Sequence, residues 1–466
     1  MPRALLLLLL AATLAQADFR FGRAAIPITP TAETGGVKEV LDELHAKAVV
    51  FEGDGVLAAI VICDLPVIGK PVVEEARRRI EAATGIPGAH VMIAATHTHT
   101  GLTPGWAGVS SFPALFPTAA GPEAEQAGRY REFLLRSITE AVRRAYEGRT
   151  PARVSAAIGR EDSLPFNRRF RMKNGTVVFN PGVRNPEILR PVGPVDPAVP
   201  VVLVTSTEGK PLATLVNYAL HLDTVGRDAY SADYVWPLSR VLGETMGPEM
   251  LTVFSIGTAG NVNHIDVTRP RPAGGETARI GSVLAAEVLR TLRHAESVET
   301  PSVRVTRETV FLPPVEVRPG ELEQARALAE RERNGGRLTL LERVFAQRIF
   351  FAEEQAGEPL QSEVMAIALG NEVAWVALPG EIFVELGLAI KNGSPFRFTV
   401  VNELAFDWIR YVPNRKGLRE GGYEAINTRC GEGCGEMLAD AAVRCLLRLH
   451  QAPQQPWSSD ASSAAQ

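Results

Sequence analysis

Short apolar runs rich in β-branched residues alternate with segments of helical periodicity along almost the whole chain of 466 residues. This alternation restricts the fold to the α/β class, in which helices flank a central sheet. The apolar runs predict strands over residues 48–62, 90–95, 153–158, 199–205, 212–219, 251–256, 302–311, 363–369, 373–378 and 397–401. The helical patterns predict helices over residues 72–84, 122–146, 280–294, 321–333, 338–354 and 436–447. We therefore expect a single large α/β domain with a mixed β-sheet flanked by helices. The charged pair over 321–333 and 338–354 is expected to form a solvated hairpin.

The two ends of the chain differ from this domain in composition. Arg3 precedes an apolar stretch over residues 4–12, and Ala15-Gln16-Ala17 offers a small-x-small cleavage site. This is the pattern of a secretory signal peptide, too short to span a membrane. We therefore expect removal of residues 1–17, a mature domain over residues 18–450, and a secreted or periplasmic location. Residues 451–466 are rich in Gln, Pro, Ser and Ala and predict a disordered tail.

Composition argues against a nucleic-acid partner and against a membrane-spanning segment. Lys and Arg number 49 against 53 Asp and Glu, and no later apolar stretch is long enough for a transmembrane segment. This near balance argues against a nucleic-acid partner. The chain has four cysteines, and in an exported protein Cys430 could pair with Cys434 or with Cys445. The sequence leaves that pairing and the oligomeric state open.

Histidine is scarce, with eight in the chain, and several follow predicted strands directly. His97 and His99 lie in a Thr-His-Thr-His-Thr-Gly segment after the strand over 90–95, and alternation directs both to one side. His221, His264 and Glu381 also come just after apolar runs. In open α/β sheets, loops at the carboxyl ends of strands share one edge and build the site. Because imidazole and carboxylate are zinc ligands, we expect a metal site at the strand carboxyl ends.

Residues 96–101 resemble the Thr-His-Thr-His-Ser-Gly motif of neutral, non-lysosomal ceramidases. Further family landmarks follow in the same order: Ile28-Thr29-Pro30, Asp64, Asn167-Arg168, His221, Asp233, Pro379-Gly380-Glu381 and Tyr423-Glu424. The resemblance extends over about residues 18–449, and the family's immunoglobulin-like C-terminal domain has no counterpart in this sequence. The resemblance implies a zinc-dependent hydrolase of a lipid amide.

The resemblance implies that one zinc is held by His97, His221, Glu381 and Tyr411. Tyr411 lies twelve residues before Tyr423, which is the family's separation between its ligand tyrosine and its second active-site tyrosine. Two imidazoles and a carboxylate suit a catalytic zinc that keeps a position for water. The alternative for Tyr411 is an aromatic side chain packed beside its neighbours.

The same resemblance implies the remaining roles. His99 would accept the proton of the attacking water and return it to the leaving amine. Arg168 and Tyr423 would donate hydrogen bonds to the developing oxyanion. Asp233 or Asp266 would orient a ligand imidazole.

The family's Gly-Asp-x-Ser-Pro-Asn block corresponds to residues 260–265, and there the sequence departs from the family. Asn263 replaces the serine discussed as a catalytic group, so a covalent serine mechanism is not expected at this position. Asn263 and His264 are expected to line the pocket, and Asp64 to hold loops together. Trp106 is either a lip that grips an acyl chain or a buried loop anchor.

The sequence therefore predicts an exported, zinc-dependent hydrolase that cleaves an N-acyl amide, as ceramidases cleave ceramide to a sphingoid base and a fatty acid. One alternative is a related amidase or esterase with a different acyl substrate. Another is a decayed, non-catalytic member of the family, which the Asn263 replacement favours and the retention of all four implied ligands opposes.

Overall fold

The structure is a computed structural model that describes residues 19–34, 38–103, 122–226, 228–270, 274–299 and 301–451. The predicted signal peptide, Trp106 and residues 452–466 of the predicted tail lie outside these ranges. Within them, every helix is too short or too polar to cross a bilayer.

The strands, in chain order, are β1 (Arg20–Pro27), β2 (Glu39–Val40), β3 (His45–Gly53), β4 (Val56–Cys63), β5 (Val91–Ala95), β6 (Thr150–Arg160), β7 (Phe166–Asn167), β8 (Arg169–Met172), β9 (Val177–Phe179), β10 (Ile188–Pro191), β11 (Ala198–Ser206), β12 (Pro211–Tyr218), β13 (Ala229–Tyr230), β14 (Leu251–Ile256), β15 (Val262–Asn263), β16 (Glu296–Ser297), β17 (Val303–Leu312), β18 (Leu360–Leu369), β19 (Val373–Ala377), β20 (Glu381–Ile382), β21 (Phe398–Asn402) and β22 (Tyr411–Val412). The helices are α1 (Lys70–Thr84), α2 (Pro122–Glu147), α3 (Val235–Met246), α4 (Glu276–Leu292), α5 (Glu321–Arg333), α6 (Leu340–Gln355), α7 (Val384–Gly393), α8 (Arg415–Glu420), α9 (Tyr423–Ile426) and α10 (Cys434–Gln451).

The larger sheet is mixed, as the sequence predicts. In the described residues it has nine strands, in the order β14-β12-β11-β6-β1-β3-β4-β5, with β16 beside β6. The pairs β12–β14 and β4–β5 are parallel, and the other neighbours are antiparallel. Helices α1 and α2 pack on one part of the sheet, and α3 and α4 pack on another. The predicted mixed sheet flanked by helices is confirmed.

A second sheet, in the order β17-β18-β19-β21, packs face to face with the first. Trp375 on β19 stacks on Phe51 of β3, with ring centroids 5.6 Å apart. The opposite face of this sheet is buried against α7 and α10. Alternate residues of β18 therefore contribute to two cores, which explains why this strand is apolar on both sides.

The two edges of the larger sheet come close together. Residues of β14 lie beside those of β4 and β5. The segment after β21 joins the sheets here, because the Ala95 amide donates to the Leu404 carbonyl at 3.1 Å and the Leu404 amide donates to the Gly380 carbonyl at 3.0 Å. The carboxyl ends of β5 and β12 meet through a bridge between Thr98 and Leu222.

Two local predictions are wrong. The single strand predicted over 48–62 is a hairpin, since Asp54 and Gly55 take φ values of 51° and 74° and turn the chain between β3 and β4. An Asp-Gly pair with two positive φ angles is the type I′ turn that joins hairpin strands. The pair α5 and α6 is a hairpin but is not merely solvated. Its helices share a buried core that includes Leu328, Ile349 and Phe350.

The cysteine pairing left open by the sequence is settled in the structure. Cys430 is bonded to Cys434 at the start of α10, whereas Cys445 and Cys63 are free and buried.

Candidate functional site

Three histidines converge where β5 and β12 end. The Nε2 atom of His97 lies 3.2 Å from Nε2 of His221 and 3.4 Å from Nε2 of His99. The backbone of His97 is left-handed, with φ at 73°, which is strained for a side chain with a Cβ. This turn redirects the chain out of β5 so that His97 faces His221 across the strand ends.

The orientation of the two buried rings indicates a cation site. Nδ1 of His97 lies 2.7 Å from the Pro66 carbonyl, and Nδ1 of His221 lies 3.0 Å from the Ala259 carbonyl. A carbonyl only accepts, so each Nδ1 carries a proton and each neutral ring presents a lone pair at Nε2. Two lone pairs that face each other at 3.2 Å repel unless a cation or proton lies between them.

Glu381 supplies a carboxylate to the same point. Its Oε2 atom lies 3.4 Å from Nε2 of His97 and 3.6 Å from Nε2 of His221, and it is buried without a hydrogen-bond partner. Its other oxygen accepts from the Trp408 indole at 3.0 Å. A buried carboxylate oxygen left without a donor and aimed at two imidazole lone pairs fits a divalent metal. The donor set therefore fits zinc.

Tyr411 reaches this group because its strand pairs with that of Glu381. The two residues are in register between the parallel strands β20 and β22. Gly380, which has φ at 75°, allows the close approach, since a Cβ there would lie 2.5 Å from the Arg410 carbonyl oxygen. The Tyr411 hydroxyl accepts from Arg168 at 3.0 Å, so Tyr411 is part of the polar cluster as well as buried.

Arg168 is fully enclosed beside the histidines. It donates to Glu424 at 2.9 Å, to the Gly260 carbonyl at 2.9 Å and to the Tyr411 hydroxyl at 3.0 Å. Its remaining terminal nitrogen donates to Nε2 of His221 at 3.1 Å. A guanidinium at this place can donate to any oxygen that approaches the histidine cluster.

Tyr423 lies beside Tyr411 in the site. Its ring centroid lies 5.5 Å from that of Tyr411 and 4.8 Å from that of Phe179. Its hydroxyl accepts from the Asn427 side-chain amide at 3.2 Å. The hydroxyl proton is therefore left to donate to another oxygen.

Burial and Glu381 set the charges of the cluster. Burial opposes ionisation of His97, but the Glu381 carboxylate outweighs it and raises the pKa of His97. Burial raises the pKa of Glu381, but His97 and His221 outweigh this effect and hold that pKa well below its usual range. Burial and the charge of Arg168 lower the pKa of His221 to about 4. Desolvation of its ring and the charges of the neighbouring imidazoles lower the pKa of His99.

His99 stands apart from the other two histidines in its exposure. His97 and His221 are buried, whereas His99 lies at the open side of the cluster. The ligand nitrogens of all three lie within 4.8 Å of one another, so the described residues also offer a three-histidine metal group. The expected ligand set shares His97 and His221 with this group, but it has Glu381 and Tyr411 where the group has His99.

The side chains of Asn263 and His264, both expected to line the pocket, are held by neighbouring residues. The Asn263 side chain donates to Asn180 at 3.1 Å and accepts from the Ile265 amide at 3.1 Å. Both ends of its amide are thereby engaged within the surrounding loops. His264 is half-buried and pairs through Nδ1 with Asp223 at 3.0 Å.

The expectation that Asp233 or Asp266 orients a ligand imidazole is wrong. Asp233 accepts from the Thr224 amide at 2.9 Å, and Asp266 accepts from the Thr268 amide at 2.8 Å. The Nδ1 atoms of both buried histidines are already bonded to backbone carbonyls. Asp64 accepts from the His45 amide at 2.9 Å, consistent with a residue that holds loops together.

Three acidic residues beside the site were not predicted: Glu424 and Glu403, which are buried, and Asp223, which is half-buried. Glu424 holds Arg168, and Asp223 holds His264. Glu403 accepts from the Ile382 amide at 2.6 Å, and burial and the charge of Glu381 raise its pKa well above the usual value. Only Glu424 had a sequence signal, as the second residue of the Tyr-Glu landmark.

Solved structures of ceramidases share this fold. The crystal structure of neutral ceramidase from Pseudomonas aeruginosa matches with a TM-score of 0.68 at 19% identity, over 93% of this chain and 75% of that chain. A ceramidase complexed with C2 matches with a TM-score of 0.68 at 18% identity, over 93% of this chain and 76% of that chain. A scan against protein-family models and a search of curated proteins found no match. The likeness confirms the neutral ceramidase-like fold that the motifs predict.

Proposed function

We propose that this chain, which has the neutral ceramidase-like fold, is an exported zinc-dependent hydrolase that cleaves an N-acyl amide of lipid type. The fold alone does not fix the reaction, so the proposal rests on the site. The observation that carries it is the convergence of two imidazole lone pairs and the unpartnered Oε2 of Glu381 on one point.

His97, His221, Glu381 and Tyr411 would hold the zinc, with the two imidazoles fixed by the Pro66 and Ala259 carbonyls. A bound zinc lowers the pKa of water toward neutrality and polarises a carbonyl. Hydrogen bonds from Nδ1 to these carbonyls hold each ring in the tautomer that a metal needs.

The residues around the proposed zinc position have different catalytic roles. His99, on the open side, would take a proton from the attacking water and pass it to the leaving nitrogen. Arg168 and Tyr423 also carry donors and would stabilise negative charge that develops on the carbonyl oxygen. Water is the proposed nucleophile, because Asn263 stands where a serine is expected and its amide is engaged by Asn180.

A related amidase or esterase with a different acyl substrate is the second candidate. It is favoured by the departure at Asn263 and His264 from the ceramidase block. Hydrolysis profiles on ceramide, shorter N-acyl amides and the matching esters would separate the two candidates.

Metal content tests the proposal directly. We expect about one zinc per chain in the purified protein, as for a single catalytic site, and large losses in His97→Ala and Glu381→Ala. His294→Ala is the matched control, since His294 is exposed at the end of α4. Full zinc content in both site variants would refute the assignment.

Export needs its own test. The Cys430–Cys434 bond supports an oxidising compartment, where disulfides persist. N-terminal sequencing of protein recovered from cells should begin at Asp18, after the proposed cleavage site. A mature protein that still carried residues 1–17 would contradict export by this signal.

A further inference from the structure

Trp408 lies directly against the carboxylate of the proposed zinc site. Its indole nitrogen donates to Oε1 of Glu381 at 3.0 Å. The other oxygen of this carboxylate, Oε2, lies 3.4 Å from Nε2 of His97 and 3.6 Å from Nε2 of His221. The two oxygens therefore have separate neighbours, since one is held by the indole and the other faces two imidazole lone pairs.

The chemistry of the indole fixes the direction of this contact. An indole nitrogen carries one proton and only donates, whereas a hydroxyl or a neutral imidazole could also accept. Trp408 can therefore hold a carboxylate oxygen but cannot compete with Oε2 as a ligand. A side chain of this kind is suited to orienting a metal ligand without binding the metal itself.

The surroundings of Trp408 hold the indole in place. Asp407 accepts through one oxygen from the Trp408 amide at 2.8 Å and from the Lys70 amide at 3.1 Å, at the first residue of α1. The Arg410 guanidinium lies over the indole ring, 5.1 Å from its centroid. These contacts fix both the backbone and the ring of Trp408, so its N–H group keeps a set direction.

Glu381 depends on this donor because it is enclosed. Its side chain is 3% exposed, so water has little access to replace the indole. A buried carboxylate oxygen without a donor is unfavourable, and without the indole either oxygen could face the histidines. On the basis of the proposed function, we propose that Trp408 is a positioning residue. By holding Oε1, it presents Oε2 of Glu381 to the zinc.

An isosteric replacement tests this role while the packing is kept. In benzothienylalanine a sulfur atom stands where tryptophan has the indole N–H group, so the side chain keeps its shape and loses its donor. We expect the protein with benzothienylalanine in place of Trp408 to bind zinc about 10- to 100-fold more weakly than wild type, the usual loss when a partner of a metal ligand is removed. Competition with a chelator of known zinc affinity measures the dissociation constants without any substrate.

Trp408→Phe also removes the donor and should weaken zinc binding to a similar degree. The matched control is benzothienylalanine in place of Trp236, which is 46% exposed on α3 and lies against Arg240. This control should bind zinc as tightly as wild type. Wild-type zinc affinity in both proteins changed at Trp408 would overturn the inference, and so would an equal loss in the Trp236 control.

The outcomes separate this inference from the proposed function. If both proteins changed at Trp408 bind zinc more weakly than wild type, the role of Trp408 stands whether or not N-acyl amides are cleaved. If all of them bind zinc equally and wild type cleaves amides, the proposed function stands and the role of Trp408 fails. If wild type binds no zinc, the zinc assignment and the role of Trp408 fail together.

Discussion

Replacing Glu424 by glutamine should destabilise the protein strongly, because this side chain neutralises buried arginines. Glu424 is fully buried, and Arg168 is 4% exposed. One carboxylate oxygen accepts from Arg168 at 2.9 Å, and the other lies 3.6 Å from Nε of Arg169. A glutamine keeps one oxygen and turns an NH₂ group toward the other arginine. Among the direct partners of Arg168 named above, Glu424 alone carries a formal negative charge.

The magnitude follows from this arrangement. Breaking a buried ion pair by removing one partner costs about 3–5 kcal/mol, since the remaining charge stays out of water. We expect the free energy of unfolding of Glu424→Gln to fall by about that amount relative to wild type. Urea denaturation followed by circular dichroism measures it, with both proteins examined at the same zinc concentration because a bound ligand adds stability.

The control is Glu432→Gln. Glu432 also pairs with an arginine, at 2.5 Å from Arg419, but its side chain is 44% exposed. Exposed pairs contribute about 0–1 kcal/mol. A loss below about 1 kcal/mol in Glu424→Gln, no larger than in the control, would show that Arg168 does not depend on this carboxylate.

Further predictions concern the reaction and a residue that stabilises the surrounding structure. His99→Ala should lower kcat by about 10²–10⁴-fold with zinc retained, as for loss of a general base; loss of zinc in this variant would instead make His99 a ligand. Rapid-quench mass spectrometry should find no acylated protein, and an acylated serine would contradict direct attack by water. Each methylene removed from the acyl chain should lower kcat/KM about fourfold, equivalent to about 0.8 kcal/mol; equal rates for acetyl and long-chain amides would exclude a lipid substrate. Glu403→Ala should lose about 1–3 kcal/mol of stability by leaving the Ile382 amide unpaired, and Glu403→Gln should recover most of it; equal melting temperatures for the two variants would contradict this role.

The strands, and the residues that follow them, could be predicted from local pattern. Apolar runs of five to eight residues mark the buried strands β5, β12, β14 and β19 because both faces of these strands are covered. Since the chain must leave the sheet where each run ends, the polar residue that follows lies at the sheet edge. This pattern identifies His97, His221 and Glu381. In the structure the Nε2 atoms of the two histidines and Oε2 of Glu381 lie within 3.6 Å of one another.

The partners of these residues could not be predicted in the same way. Arg168 and Glu424 are 256 positions apart, and their contact depends on how the residue between β7 and β8 meets α9. Spacing carries no information about such a pair. The same holds for Asp223 and His264, whose loops meet only because β12 and β14 are neighbours. Helix α7 was missed because its apolar residues continue directly from β20, and a short apolar run does not distinguish helix from strand.

The backbone at the site explains why its geometry is held before any ligand binds. His97, Leu404, Phe406 and Arg410 all have positive φ, between 55° and 73°, although none is glycine. Each such conformation costs about 1–3 kcal/mol and persists only where surrounding contacts over-determine it. Here the His97 amide donates to the Leu65 carbonyl at 2.9 Å, and the Phe406 amide donates to the Ile93 carbonyl at 3.0 Å. The strained residues are therefore fixed by the same strands that position the side chains, so the imidazoles are oriented by the fold.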